Sequence, residues 1–178
     1  MKGLANCEKE FAKGAKKALR ETARSAKTIA GREVTKVYAT NQREVASRHR
    51  GYRSVDSVNL AGVGIDTYRI EWSGETYTPI NFHMSVLKRG TVKWKPLKAS
   101  GKVVLYPTFT AASAPFVARA KGGPELPWVR KKKSRFPVEV VHTHLAVPQM
   151  IDNEKVRPNI DRGIHDRLDE LLNKYIPS

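Results

Sequence analysis

Two histidines separated by one residue, His142 and His144, are the first candidates for chemistry in this chain of 178 residues. On a β-strand, side chains at positions i and i+2 point to the same face, and two imidazoles placed in this way form half of a zinc site. The other candidate ligands have no companion spacing; they are His49, His83, His165 and Cys7. We therefore predict that the two histidines are structural or face solvent, and that the protein binds no metal and no other cofactor.

Motifs of the common catalytic classes do not occur in the sequence. It contains no phosphate-binding G-x-x-x-x-G-K-[ST], no nucleophile elbow G-x-S-x-G and no zinc-protease H-E-x-x-H. The segment Gly62-Val63-Gly64 lacks the third glycine of a dinucleotide-binding loop and predicts a turn or a strand bulge instead. Carboxylates such as Glu139, Asp152 and Glu154 have no pattern that sets two of them on one cleft. We predict no catalytic residues, and a metal-dependent enzyme is the remotest alternative.

The densest charge in the sequence is a run of consecutive cations with one more just after it: Arg130, Lys131, Lys132, Lys133 and Arg135. Neighbouring cations repel one another, so this run is predicted at a solvated loop tip or against an anion. Contacts of such residues with phosphates are independent of base sequence and sensitive to salt. The flanking Trp128 and Phe136 either stack on unpaired bases or anchor the segment in the core, and we favour the anchoring role.

The composition favours a polyanionic partner. The formal net charge is +16, from 33 Lys and Arg against 17 Asp and Glu. Such an excess is typical of proteins that meet nucleic acid, an acidic protein surface or a membrane face, although a basic surface that only improves solubility is the alternative. The single cysteine, Cys7, excludes an intramolecular disulfide. The N-terminus has no apolar leader, and no window is apolar enough to span a membrane, so neither export nor membrane insertion is expected.

Residues 1–50 are predicted to form a basic helical region, because apolar residues recur at spacings of three and four. Asn41 is the predicted N-cap of the last helix, and Gly31 is predicted to break the first. The first helix lies either on its own domain or on a neighbouring subunit. The predicted helices run, in order, from Leu4 to about Ile29, from Arg32 to Tyr38, and from Asn41 to Arg50.

Residues 51–178 are predicted to form an α+β domain with a mostly antiparallel sheet. From Val55 the hydrophobic period changes to two, which is typical of half-buried strands. Two strand-like pieces around the basic tip predict a β-hairpin, and an amphipathic helix that begins at Pro158 is expected to pack on the sheet. The predicted strands lie in or near Tyr68–Trp72, Thr76–Thr78, Phe82–Val86, Val92–Lys95, Lys102–Tyr106, Phe116–Arg119 and Phe136–Val141.

Three segments follow one another in a fixed order before this last helix: Pro115 to Arg119 (PFVAR), Arg135 to Val141 (RFPVEVV) and Val147 to Met150 (VPQM). In this order they resemble the minor tail protein Z family of tailed bacteriophages, a group related to tail-completion and head–tail joining proteins. The similarity is clearest over residues 78–176. The chain departs from the family pattern in its N-terminal helices and in an insertion-like stretch, Gly122 to Pro127.

The resemblance implies a structural virion protein that is made in the host cytoplasm and assembled into the neck, at the head-proximal end of the tail. Related proteins form rings, commonly hexamers, around the channel through which the genomic DNA passes. The implied partners are further copies of the chain, the tail tube or tail terminator, the head connector and, without sequence specificity, the DNA. The basic run is then expected to face either the DNA channel or an acidic neighbour. Candidate interface residues are Phe116, Arg119, Trp128, Val147, Pro148 and Met150. The alternative from the residues alone is a non-specific nucleic-acid-binding protein.

Overall fold

A long N-terminal helix dominates the fold in the computed structural model, which describes residues 2–86, 92–100, 103–105, 116–119, 122–132 and 135–176. Helix α1, Lys2–Val37, runs without interruption through Gly14 and Gly31, so the predicted break at Gly31 is wrong. Both glycines are sites of close approach. A Cβ atom at Gly31 would lie 2.7 Å from Cγ of Gln42, and one at Gly14 would lie 2.6 Å from the carbonyl oxygen of Tyr175.

Helix α2, Gln42–Ser47, begins at the predicted N-cap, since the Asn41 side chain accepts a hydrogen bond of 2.8 Å from the backbone N–H of Glu44. The helix ends earlier than predicted, because strand β1, His49–Leu60, follows after a single residue. Strand β1 pairs along its whole length with β2, Val63–Trp72, in an antiparallel hairpin. The turn predicted at Gly62 is confirmed: Ala61 and Gly62 both have positive φ, 51° and 78°, as a two-residue hairpin turn requires.

Two three-stranded antiparallel sheets follow the hairpin. A short 3-10 helix, Pro79–Phe82, takes the place of the start of one predicted strand, and Thr76 makes only an isolated bridge to Ala146. The two ends of the strand predicted over Lys102–Tyr106 lie outside the described residues. The second sheet contains β3 (Ser85–Val86), β4 (Val92–Trp94) and β5 (Val103–Leu105), and the third contains β6 (Phe116–Arg119), β7 (Glu125–Arg130) and β8 (Val138–Val140).

The third sheet replaces the simple hairpin predicted around the basic run. Strand β7 runs between β6 and β8, and the basic run begins at its C-terminal end. The second half of the insertion-like stretch belongs to this strand, with Glu125, Leu126 and Pro127 paired to β6. The stretch therefore contributes both to the turn after β6 and to a strand.

Two helices close the described chain: α3, Val147–Ile151, and α4, Arg157–Tyr175. Helix α4 has Pro158 in its first turn, as predicted. Among the described residues it packs along α1, whereas the sequence predicted packing on a sheet. The physical reason is the small residues on both helices: a Cβ at Gly163 would lie 2.9 Å from Cγ2 of Ile29, and the Tyr175 hydroxyl donates a hydrogen bond of 2.8 Å to Glu21.

The hydrophobic core joins both ends of the chain with its middle. The prediction of an α+β fold with N-terminal and C-terminal helices and antiparallel sheets is confirmed. The domain boundary predicted between residues 50 and 51 stays a prediction, and core side chains come from both sides of it. The core contains Ile29, Ala30, Val34, Tyr38, Val45, Tyr77, Phe82, Val147, Met150, Val156 and Ile160.

Candidate interaction surfaces

The basic run lies where β7 turns towards β8, and we call Arg130, Lys131, Lys132, Lys133 and Arg135 the basic tip. Two of its cations have partners within the same sheet. The Lys131 ammonium lies 2.9 Å from a carboxylate oxygen of Glu139, and the guanidinium of Arg130 lies 5.0 Å from the centre of the Phe116 ring. The backbone N–H of Lys131 also donates to the carbonyl of Pro137 at 3.1 Å, which fixes the start of the turn.

The rest of the basic tip is more exposed. Lys132 is exposed, Lys133 lies outside the described residues, and Arg135 lies with its guanidinium 5.8 Å from the ring of Phe136. The Phe136 side chain is 66% exposed, so the prediction that it anchors this segment in the core is wrong. It lies in the connection before β8, outside the paired strands. The described part of the tip therefore offers less uncompensated charge than its sequence suggests.

Trp128 is half-buried and packs within its own sheet, outside the hydrophobic core in which the sequence analysis placed it. It lies on β7 opposite Phe116 of β6 and Val140 of β8, and its indole N–H donates a hydrogen bond of 3.0 Å to the carbonyl of Ala118. The exposed Arg119 lies at the far end of the β6–β7 hairpin, with its guanidinium 3.9 Å from the carboxylate of Glu125. Its role in an interface stays a prediction.

The VPQM segment forms most of α3, and its apolar side chains belong to the core. Val147 and Met150 are fully buried within this chain, whereas Pro148 is half-buried. Fully buried side chains do not contact a second chain in this conformation. Of the VPQM residues predicted at an interface, only Pro148 is accessible to a partner, and an interface role for it stays a prediction.

The two histidines lie on either side of an inward-facing threonine. Thr143 is buried, and both its hydroxyl and its backbone N–H donate to the carbonyl of Tyr77, at 2.8 and 2.7 Å. His142 and His144 are consequently exposed on the opposite side. The part of the chain that the structure describes contains no group of three residues able to hold a metal ion.

Tyr77 is the buried titratable side chain at this junction. Its hydroxyl donates a hydrogen bond of 2.6 Å to the carbonyl of Glu44, and its ring packs edge to face on Phe82. Burial raises the pKa of Tyr77 to about 12, because the phenolate would lose its hydration. This side chain holds the segment before α3 against α2 and has a structural role.

A second basic surface lies on α1, within the region that the sequence analysis predicted to be basic and helical but did not single out as a candidate site. Its residues follow one another at spacings of three or four, so they lie along one side of the helix. The Lys13 ammonium lies 2.8 Å from the carboxylate of Glu10, and Nε of Arg24 donates to the Tyr52 hydroxyl at 2.8 Å. The spacing of these cations in the sequence was the feature from which this surface could have been predicted. We call this surface the α1 stripe; its six exposed cations are Lys9, Lys13, Lys16, Arg20, Arg24 and Lys27.

An apolar groove lies near the N-terminal end of α1, on a different side of the helix from the stripe. It is formed where α1 meets the tip of the β1–β2 hairpin, and it is lined by Cys7, Glu8, Phe11, Leu60 and Ala61. Phe11 is 46% exposed and Leu60 is 42% exposed. Exposed apolar side chains that lie together on a surface are typical of contact sites between proteins.

Comparison with protein-family models, curated proteins and solved structures finds no match to this chain. None of the helices within the described ranges has the length and apolar character needed to cross a membrane.

Proposed function

We propose that this chain is a structural virion protein of a tailed phage, a tail-completion protein of the neck. In this proposal it is made in the host cytoplasm and assembles as a ring, commonly of six copies, at the head-proximal end of the tail. The proposal rests on one observation, the order of the segments PFVAR, RFPVEVV and VPQM before a C-terminal amphipathic helix. That order resembles the minor tail protein Z family.

The surfaces of the chain support a role in contact with other proteins. A ring requires two different surfaces on each copy that meet head to tail. The apolar groove at Phe11 and Leu60 suits one of them, and we assign it to a second copy of this chain. The charge distribution agrees with contact between unlike surfaces, since residues 1–50 contain 13 Lys and Arg against 5 Asp and Glu, whereas residues 151–178 contain 5 against 6.

The basic tip is assigned to a neighbouring ring, the head connector or the tail tube, through acidic groups on that partner. Lys132 is exposed there, and Lys131 already has Glu139 as a partner. Ion pairs at the exposed rim of an interface contribute modestly to affinity and mainly select the partner and the orientation. The tip is therefore expected to orient the ring, with apolar contacts supplying most of the affinity.

A second candidate function is non-specific nucleic-acid binding by a monomer or a dimer. The net charge of +16 and the cations aligned on α1 favour it. The two candidates differ in what the purified protein does. A tail-completion protein joins tail tubes at one end, whereas a nucleic-acid-binding protein leaves the tubes unchanged.

Negative-stain electron microscopy of the purified protein, alone and mixed with tail tubes from the same phage, tests the proposal. We expect rings, or additional density at one end of the tubes. A Phe11→Asp variant that keeps its helical content by circular dichroism is expected to lose the rings. Phe136→Asp, at an exposed aromatic residue that does not line the groove, serves as the control. Monomers that leave both tube ends bare would contradict the proposal.

A further inference from the structure

We propose that the α1 stripe binds the phosphate backbone of duplex DNA, without reading its sequence. This inference rests on the second candidate function, non-specific nucleic-acid binding, and names its surface and its ligand; the tail-completion proposal assigns no role to that surface. It is tested on the purified protein, so its outcome does not depend on whether rings or tail ends are found.

The stripe is a straight row of charge. From Lys9 to Lys27 the residues follow one side of a continuous helix, and at 1.5 Å per residue they extend over about 27 Å. The small buried residues Ala15, Ala18 and Ala26 lie on the opposite side of α1. The row therefore faces away from the core along its whole length.

Most of this charge has no compensating carboxylate. Within the described ranges, Lys9, Arg20, Arg24 and Lys27 form no ion pair with Asp or Glu; Lys13 pairs with Glu10, and Lys16 lies 3.9 Å from Asp66. Like charges three or four residues apart repel one another on a helix. A face that only improved solubility would mix both signs, so the accumulation of one sign indicates an external anion.

The row fits a partner whose negative charge continues along its length. Each strand of duplex DNA presents one phosphate per 3.4 Å of axis and winds around that axis, so a straight row of roughly 27 Å with six cations meets phosphates of both backbones along one side of the duplex. An acidic protein would have to supply a matching straight row of carboxylates. The stripe also contains no aromatic side chain on which unpaired bases stack, and this favours a duplex over a single strand.

A contact with the hairpin holds the row in position near its C-terminal end. The Arg24 side chain donates through Nε to the Tyr52 hydroxyl on β1, and Tyr52 packs edge to face on Tyr68 of β2. The hairpin therefore orients Arg24 beside Arg20, while the remaining nitrogens of its guanidinium stay available for a phosphate.

Fluorescence anisotropy with the full-length protein and a labelled duplex of about 20 base pairs, titrated at several salt concentrations, tests the proposal. We expect the triple variant Lys9→Ala, Arg20→Ala, Lys27→Ala to reduce the slope of log K against log salt by about three, and to weaken binding on the order of 100-fold near 0.1 M salt. The triple variant Lys155→Ala, Arg162→Ala, Lys174→Ala removes the same charge near and on α4 and is expected to leave the slope close to the wild-type value.

Equal losses in the two triple variants would overturn the proposal, because net charge alone would then explain binding. A wild-type protein that binds a single strand or polyglutamate more tightly than the duplex would overturn it too. The variant Lys9→Arg, Lys16→Arg, Lys27→Arg keeps the charge and is expected to keep the slope. Should the triple alanine variant lose helical content by circular dichroism, the corresponding glutamine variant is titrated in its place.

Discussion

The two basic surfaces of this protein differ in two respects: how close together their cations lie in the sequence, and how much of their charge is exposed in the structure. The basic tip is contiguous in sequence, yet Arg130 lies over Phe116 and Lys131 pairs with Glu139. The α1 stripe is dispersed over 19 residues of sequence, from Lys9 to Lys27, yet it forms one exposed row. A cluster in sequence places neighbouring side chains on different sides of a strand, whereas helical spacing collects distant ones on one side.

The comparison also separates two kinds of partner. A short tip with some of its charge compensated fits local contacts with acidic groups of a protein. A long row of one sign on a rigid helix fits a polymer with regularly spaced charge. The same chain is therefore expected to use one basic surface to orient a protein neighbour and the other to hold DNA.

The largest expected effect is on stability and concerns the two aromatic residues that flank the basic tip. Trp128→Ala removes a half-buried indole and its hydrogen bond to Ala118, and it is expected to lower the free energy of unfolding by about 2–3 kcal/mol. Phe136→Ala, at an exposed ring on the other flank of the basic run, is the matched control and is expected to change it little. Denaturant unfolding measures both. Equal decreases in the free energy of unfolding would contradict the conclusion that Trp128 is packed in the sheet and Phe136 is exposed.

The packing of the helix that presents the stripe is tested at Gly14. A Cβ atom there would lie 2.6 Å from the carbonyl of Tyr175, a backbone atom that cannot move without shifting the end of α4. We expect Gly14→Ala to destabilise the protein by about 1–3 kcal/mol, even though alanine favours a helix more than glycine does. Thermal unfolding measures this loss, with the exposed Lys13→Ala as the control. A stabilised Gly14→Ala variant would show that α4 does not pack this closely on α1.

Removing charge from the stripe is expected to leave the fold intact. The variant Lys9→Ala, Arg20→Ala, Lys27→Ala relieves repulsion between cations three or four residues apart and introduces a better helix former. We expect a melting temperature that is unchanged or higher by about 2 °C at low salt, with the difference disappearing at high salt. A marked decrease would mean that these side chains stabilise the protein through contacts within the chain.

The smallest effect is a titration that reports the contact between the stripe and the hairpin. The hydrogen bond from Arg24 lowers the pKa of Tyr52, because the cation stabilises the phenolate. The folded state therefore binds fewer protons at this group than the unfolded state, and the contribution to stability rises with pH as Tyr52 ionises. In a spectrophotometric titration, Arg24→Gln is expected to move the ionisation of Tyr52 to higher pH. Tyr52→Phe is expected to remove that transition. An unchanged titration in both variants would contradict the contact.

Local rules predicted much of the fold. The N-cap at Asn41, the turn at Gly62, the strand around Tyr68 to Trp72 and the helix that contains Pro158 all follow from residue types and spacing. Predictions from the sequence were wrong where contacts between distant segments decide how an element continues or packs. Gly31 lies inside a helix because Gln42 approaches it closely, and α4 packs on α1 because glycines on both helices permit the contact.

The interaction surfaces were less predictable than the fold. A run of adjacent cations is conspicuous in a sequence, but the compensation of Lys131 by Glu139 depends on the register of β7 and β8. The stripe lies within the helix predicted from Leu4 to about Ile29, and the spacing of its cations was present in the sequence, but the exposure of that side of α1 depends on where α4 and the hairpin pack. Val147 and Met150 were predicted at an interface and lie in the core, since the VPQM segment turns inward as a helix.

The central claim, that the α1 stripe and not the basic tip binds duplex DNA, is tested most directly by titrating two triple variants side by side. The tip variant Lys131→Ala, Lys132→Ala, Lys133→Ala and the stripe variant Lys9→Ala, Arg20→Ala, Lys27→Ala lose the same charge. We predict that the salt dependence of duplex binding stays near the wild-type slope in the tip variant and falls by about three in the stripe variant. A larger decrease of the slope in the tip variant than in the stripe variant, or an equal decrease in both, would contradict the claim.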